Sequence, residues 1–166
     1  MSNGTGDLIQ STLEDWQDNS WCGAKSGQWC VRASIFGWFG QLDGPAAVVN
    51  GNDHVKIEYK LAKPDANGGG NWVQNVTNAQ TGAYLSSYER VSGNMRGWGT
   101  GTECNDGCTG TIAAQQYLNT IITLDAADTT FGSTISTAQG ATYTGLSSSQ
   151  GGKVWTIKEM NIPKMG

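Results

Sequence analysis

The sequence predicts an all-β chain: an antiparallel β-sandwich or jelly-roll-like fold with one short N-terminal helix over residues 7–17, in a single domain spanning 1–166. Three observations carry that prediction. Glycine is abundant (24 of 166) and charge is scarce, at 14% Asp, Glu, Lys and Arg against a usual ~25%. Several segments alternate apolar and polar residues with a period of two, with turn residues spaced as in a sandwich or barrel. Seven Trp, five Tyr and three Phe supply enough apolar area to hold a core, which separates the chain from disordered low-charge sequences. A closed barrel is the alternative architecture.

In chain order, Asp7 is placed to cap a helix over DLIQSTLEDWQ, with Ile9, Leu13 and Trp16 at i, i+4 and i+7 on one apolar face. Residues 18–30 form a Gly/Ser loop in which Trp21 adjoins Cys22 and Trp29 adjoins Cys30. Residues 31–41 read as a strand, Val31, Ala33 and Ile35 alternating with Arg32, Ser34 and Phe36. Turn signals follow at Asp43-Gly44-Pro45 and at Asn50-Gly51, the latter suited to a type I′ hairpin. The clearest strand runs from His54 to Ala62, with Val55, Ile57, Tyr59 and Leu61 on one side and Lys56, Glu58 and Lys60 on the other.

After a KPDANGGG loop, Trp72–Thr77 is a short strand with Trp72, Gln74 and Val76 on one face. Ala83–Val91 is another, with Tyr84, Ser86, Tyr88 and Arg90 sharing a face. Residues 93–110 form a glycine-rich stretch that holds Trp98 between two glycines and contains Cys104 and Cys108. Close approach of a ligand or of another backbone is the usual reason for such glycines. Strands are then expected at 116–125, with Leu118, Thr120, Ile122 and Leu124 on one side, at 131–136, at 141–146 and at 154–162. Residues 147–152 join the last two as a Ser/Gly loop.

Several function classes are excluded by composition. The net charge is −4 with no Lys/Arg cluster, which removes the basic footprint nucleic-acid binding needs. No run of about 18 apolar residues exists, so no membrane-spanning helix is expected. The start, MSNGTG, carries no cleavable signal and reads as a mature chain with an added Met or one that never had a leader. Four cysteines form an even set, which favours two disulfides and a secreted or otherwise oxidising location. Of the three connectivities, Cys22–Cys30 with Cys104–Cys108 closes two short loops. Free thiols are the alternative, and x7 and x3 spacings do not fit a zinc knuckle. Sequons occur at Asn3-Gly-Thr5 and Asn75-Val-Thr77.

Catalytic signatures are sparse. His54, the one histidine, stands at a strand start, and no G-x-S-x-G nucleophile elbow is present. Glu58, Glu89 and Glu159 fall in strands, the first two beside basic residues. Glu103 lies in the glycine-rich stretch and is the carboxylate for a hydrolase reading, paired with Gln74 or Gln115. Divalent-cation candidates are Asp43, Asn50, Asn52 and Asp53, and separately Glu103, Asn105 and Asp106, in Asx-rich turns without a fixed ligand spacing.

Binding is the class left. A small-molecule or glycan ligand is expected to meet Trp98, Trp38, Phe36, Phe39, Trp29, Tyr84 and Tyr88, with Glu103 beside them. Aromatic walls carrying a few polar groups suit a planar apolar ligand or a sugar ring. The leading expectation is a non-catalytic protein that holds a small planar or apolar ligand in a Trp/Phe-lined pocket; a lectin-like carbohydrate-binding module and a Glu103 hydrolase are the alternatives.

Trp72-Val-Gln-Asn-Val-Thr77, MRGWGTGTECNDGC and Gly151-Gly-Lys-Val-Trp155 give the C-terminal two-thirds a texture that resembles small fungal β-sandwich proteins, among them the coloured mushroom chromoproteins. That resemblance implies a noncovalently held organic chromophore in a dry Trp/Phe pocket, a divalent cation (Mg or Ca) nearby, and a homodimer.

Overall fold

A computed structural model describes every residue except Asn3, Thr5 and Asp106. The Asn3 sequon and the Asp106 cation candidate therefore lie outside the described residues. The chain is mostly β-strand, arranged in three antiparallel sheets, and divides into two compact units, Met1–Gly99 and Thr100–Gly166.

The first unit holds two sheets. In one, β2 (Gln28–Gly37) is central; β1 (Leu8–Glu14) pairs along it, and β3 (Gly40–Asp43) and β4 (Ala47–Asn50) divide its other edge. In the other, β5 (Val55–Pro64), β6 (Gly70–Asn78) and β7 (Tyr84–Ser92) form a meander. Val31 and Ala33 of β2, Val49 of β4 and Val76 of β6 make one buried cluster to which both sheets contribute. Trp29, Ile57, Leu85 and Tyr88 pack around it.

Polar groups also join the two sheets. Buried Gln74 on β6 donates from Nε2 to the Ser34 carbonyl (2.8 Å) and accepts at Oε1 from Ser11 (3.3 Å). Ser86 on β7 accepts from the Ala33 N–H (2.9 Å) and donates to the Pro45 carbonyl (2.5 Å). Such bonds cost little when every partner is supplied and cost much when one is missing. Gly44 permits the close approach: a Cβ there would stand 2.1 Å from the Ser87 carbonyl oxygen.

The second unit holds one sheet. β11 (Val154–Ile162) is central, with β8 (Gln115–Thr123) on one edge and β9 (Thr142–Thr144) and β10 (Ser147–Ser149) on the other. Its buried residues include Trp155, Ile157 and Met160. A 3₁₀ turn, Phe131–Thr134, lies over Trp155, with the Phe131 and Trp155 rings 5.8 Å apart.

Four expectations are corrected. Residues 7–17 are not a helix: Leu8–Glu14 is β1, in register with β2 from Leu8↔Phe36 to Glu14↔Cys30. The helical spacing of Ile9, Leu13 and Trp16 was coincidental, since only Ile9 is buried and the other two are each 43% exposed. A seven-residue ladder along β2 satisfies the backbone there, and tertiary pairing overrides a weak helical period. Asn50-Gly51 makes no β-hairpin, because β4 pairs with β2 and not with β5. Its turn has no positive φ and is closed by the Asp53 carboxylate accepting from the Asn50 N–H (2.8 Å). Residues 31–41 are two strands folded back at Trp38-Phe39. Residues 131–136 hold the 3₁₀ turn rather than a strand.

The alternation predicted for 116–125 also slips. Asn119 has φ 54°, so Gln115 and Tyr117 are covered before it and Thr120 and Ile122 after it, while Leu118 and Ile121 face out. β11 slips at the same level, from Trp155 and Ile157 to Met160.

Candidate functional site

The groove with the most developed chemistry lies on the first unit, at the end of β1 and β2. It is open, about 410 Å³ in volume, and is lined by Glu14, Trp16, Gln17, Asp18, Trp21 and Arg32. Arg32 stands at its centre because alternation along β2 turns it away from the Val31–Ala33 core. Glu14 ends β1 opposite Cys30, two positions along the ladder from Arg32 and therefore on the same face.

The guanidinium is held on three sides. Its Nε and one terminal nitrogen donate to the two Glu14 oxygens (2.7 and 3.1 Å), and the other terminal nitrogen donates to Asp43 (2.6 Å). Its carbon lies 5.0 Å from the centre of the Trp21 ring, a cation–π contact. Three of its five N–H groups are spent this way, which leaves two for a ligand.

Glu14 also accepts from Thr12 Oγ1 (2.6 Å) and from Trp16 Nε1 (2.7 Å). Burial alone would raise its pKa, but hydrogen bonds from Arg32, Thr12 and Trp16, with the Arg32 charge, outweigh burial and hold the carboxyl below its ordinary range. Asp18 is likewise lowered, by hydrogen bonds from Ser20. Both are carboxylates at neutral pH, so the groove carries two negative charges against one positive.

The two indoles are positioned by different means. Trp16 is tied through Nε1 to Glu14, and its backbone N–H donates to Asn19 Oδ1 (3.1 Å). Buried Asn19 donates in turn to the Gln28 carbonyl (3.2 Å), which anchors the loop to β2. Trp21 sits in a 3₁₀ turn, Ser20–Cys22, that the Cys22–Cys30 disulfide joins to the same strand. Trp16 and Trp21 are 43% and 47% exposed, so each offers ring surface to solvent.

The residues expected from sequence to form the ligand site are dispersed. Trp29 and Tyr88 pack on the core of the first unit. Phe39 lies under the Arg90 guanidinium, 4.1 Å from ring centre to carbon, and meets Trp38 edge-on at 5.8 Å. Trp38, at the tip of the β2–β3 hairpin, is 93% exposed, so none of the described residues encloses it. Phe36 and Tyr84 are exposed, and the Tyr84 hydroxyl meets Ser87 at 3.0 Å. Trp98 is half-buried and belongs to the first unit; Glu103 is exposed and belongs to the second.

Cys104–Cys108 forms as expected, as does Cys22–Cys30, and no free cysteine remains. The unit boundary falls between Trp98 and this second disulfide. Gln74 is locked in the core, and Gln115 donates to Thr102 Oγ1 (2.6 Å), so both glutamines considered beside Glu103 have other partners. The cation candidates are similarly engaged. Asp43 serves Arg32 and Gln41, Asp53 serves Asn50, and the backbone carbonyl of Asn52, not its side chain, accepts from Gln80. Among the described residues no three His, Cys, Asp or Glu side chains converge on one point.

Sequence reasoning missed Glu14 and Arg32, and it assigned Trp16 to a covering helix. The available signal was Trp16 and Trp21 on either side of an Asp-Asn-Ser turn, next to a cysteine eight residues from its partner. Comparison with protein-family models, with curated proteins and with solved structures gives no match. The groove must be interpreted from its own chemistry.

Proposed function

We propose that this chain is a non-catalytic binding module that takes a glycan in the open groove between Trp16 and Trp21. One observation carries the reading: two half-exposed indoles flank an Arg–carboxylate network whose geometry is held from three sides. A sugar ring offers an apolar C–H face for an indole and hydroxyls for the two unspent Arg32 donors and the Asp18 oxygens. An apolar pigment gains less here, because the groove is open and charged, and a planar apolar ligand is better served by concave, dry walls. The network is assembled before any ligand arrives, which lowers the ordering cost of binding.

In this reading the first unit is a small β-sandwich that presents the groove at one end. Its natural setting is an oxidising, extracellular one, in keeping with the two disulfides. No helix among the described residues is long and apolar enough to cross a membrane.

The test is binding of the purified chain to an array of neutral, amino and acidic glycans, with tryptophan fluorescence as a second readout. Trp21→Ala is expected to weaken the bound glycan by about 2 kcal/mol, roughly thirtyfold, and Trp16→Ala to weaken it comparably. A visible absorption band that accompanies the native protein, with no glycan retained, would instead favour the planar-ligand reading. Binding that survives both tryptophan variants would remove the groove from consideration.

A further inference from the structure

The groove lies at one end of a longer surface. Along β2, Arg32, Ser34 and Phe36 share the face of the first sheet opposite Val31, Ala33 and Ile35. Ser34 is wholly covered there, its Oγ accepting from Gln41 Nε2 (3.5 Å), so Gln10 and Gln41 rather than Ser34 form the surface between Arg32 and Phe36. Register sets Leu8 beside Phe36 and Gln10 beside Ser34 on one flank, and Gln41 beside Phe36 on the other. The outer face is therefore apolar at the end remote from the groove, where Phe36 is 48% and Leu8 37% exposed.

Between the two ends runs a row of amides and carboxylates joined to one another. Gln10 Nε2 donates to Gln41 Oε1 (3.3 Å), Gln41 Nε2 donates to Asp43 (2.9 Å), and Asp43 accepts from Arg32 (2.6 Å). This continues the network that orients the groove. Four residues of strand separate Arg32 from Phe36, or ~13 Å, more than one sugar ring spans.

We infer that the outer face of this sheet is an extended track for a linear, β-1,4-linked glycan, with Trp16 and Trp21 as the proximal platform and Phe36 as the distal one. The inference rests on the glycan reading of the groove and adds the length and shape of the ligand. Equatorial β-1,4 linkages make a straight, flat ribbon, which matches a pleated face. Its ring hydroxyls would meet Gln10 and Gln41, whose amides can donate and accept at once. An aromatic ring at each end with polar groups between them suits a chain of sugars rather than a single residue.

The experiment is calorimetric titration of the whole chain with mono- to hexasaccharides of β-1,4-linked N-acetylglucosamine and of β-1,4-linked glucose. Affinity is expected to rise with chain length in at least one series. Phe36→Ala should cost the longest oligomer roughly two- to tenfold and leave the shortest binder unchanged. Gln41→Ala should weaken only the longer members. Phe36 and Gln41 are both exposed, and circular dichroism confirms that each variant is folded. If affinity does not depend on length, or Phe36→Ala matches the parent at every length, the track is wrong. When Trp21→Ala still abolishes binding in that case, the groove reading stands alone. If no oligomer of either series binds, the track is wrong, and the groove reading is then decided by the glycan array alone.

Discussion

The two units use similar materials and reach different solutions. Both are antiparallel, both are rich in glycine, and each contains one disulfide. The first places residues of two sheets in one cluster, and Ile9, Val31, Ala33, Ile35, Val49 and Val76 are each at most 1% exposed. The second relies on one sheet with a 3₁₀ turn over Trp155, and its best-buried apolar residues, Ile157, Trp155 and Met160, keep 3–8% exposure. Period-two alternation yields a deep core only where a second apolar face is available to close on it. The disulfides differ in the same way. Cys30 is wholly buried in a central strand, whereas Cys104 and Cys108 lie exposed in a loop.

The largest expected effect tests the depth of the cores. Ile35→Ala should destabilise the first unit by about 2–5 kcal/mol, measured by denaturant unfolding. Ile157→Ala, at the best-buried apolar position of the second, should cost less, about 2 kcal/mol at the low end of that range, because its surroundings are less fully closed. Equal losses would erase the distinction between the units.

Next come the disulfides. Replacing Cys22 and Cys30 together by Ala should cost about 2–4 kcal/mol and also weaken ligand binding, because the turn bearing Trp21 is no longer joined to β2. Replacing Cys104 and Cys108 should leave binding unaltered. A loss of binding from the second pair alone would contradict the assignment of the site to the first unit.

A third change sharpens the picture of the second unit. A Cβ at Gly132 would stand 2.4 Å from the Trp155 ring, so Gly132→Ala should cost about 1–3 kcal/mol through overpacking. A neutral result in thermal unfolding would mean that the 3₁₀ turn does not press on Trp155.

The smallest effect is one of pH. The folded pKa of Glu14 is lowered, so its contribution is complete above its unfolded pKa and is lost as pH falls through the lowered folded value. Glu14→Gln should flatten that acid limb of the stability profile. An identical acid limb in the variant would mean that the Arg32–Glu14 bond adds nothing to folding.

Much of this was legible in the residues. The β5 segment could be located because its apolar residues alternate from Val55 to Leu61 between turn signals, and a long period-two pattern has few other uses, whereas β11 showed only Trp155 and Ile157 on one face before its phase slips. The cysteine pairing followed from loop length. The strand at 8–14 was not legible: Ile9, Leu13 and Trp16 satisfy a helical spacing as well as Ile9, Ser11 and Leu13 satisfy a strand, and a seven-residue segment has too few positions to choose between them. The phase slip at Asn119 was hidden because a single left-handed residue leaves no mark in an alternating pattern.

The amino-acid sequence by itself determined that the chain would be antiparallel β, weakly charged, doubly stapled and richer in tryptophan than its cores require. Each of those follows from composition or from contacts between near neighbours. Only the tertiary structure decided which tryptophans face inward, which edge of β2 each neighbouring strand would take, and that Glu14, Arg32 and Asp43 would meet between two indoles. Arg32 is 18 positions from Glu14 and 11 from Asp43 in the chain. They come together because β2 is paired on both edges, and pairing at that separation depends on the whole ladder rather than on any local signal.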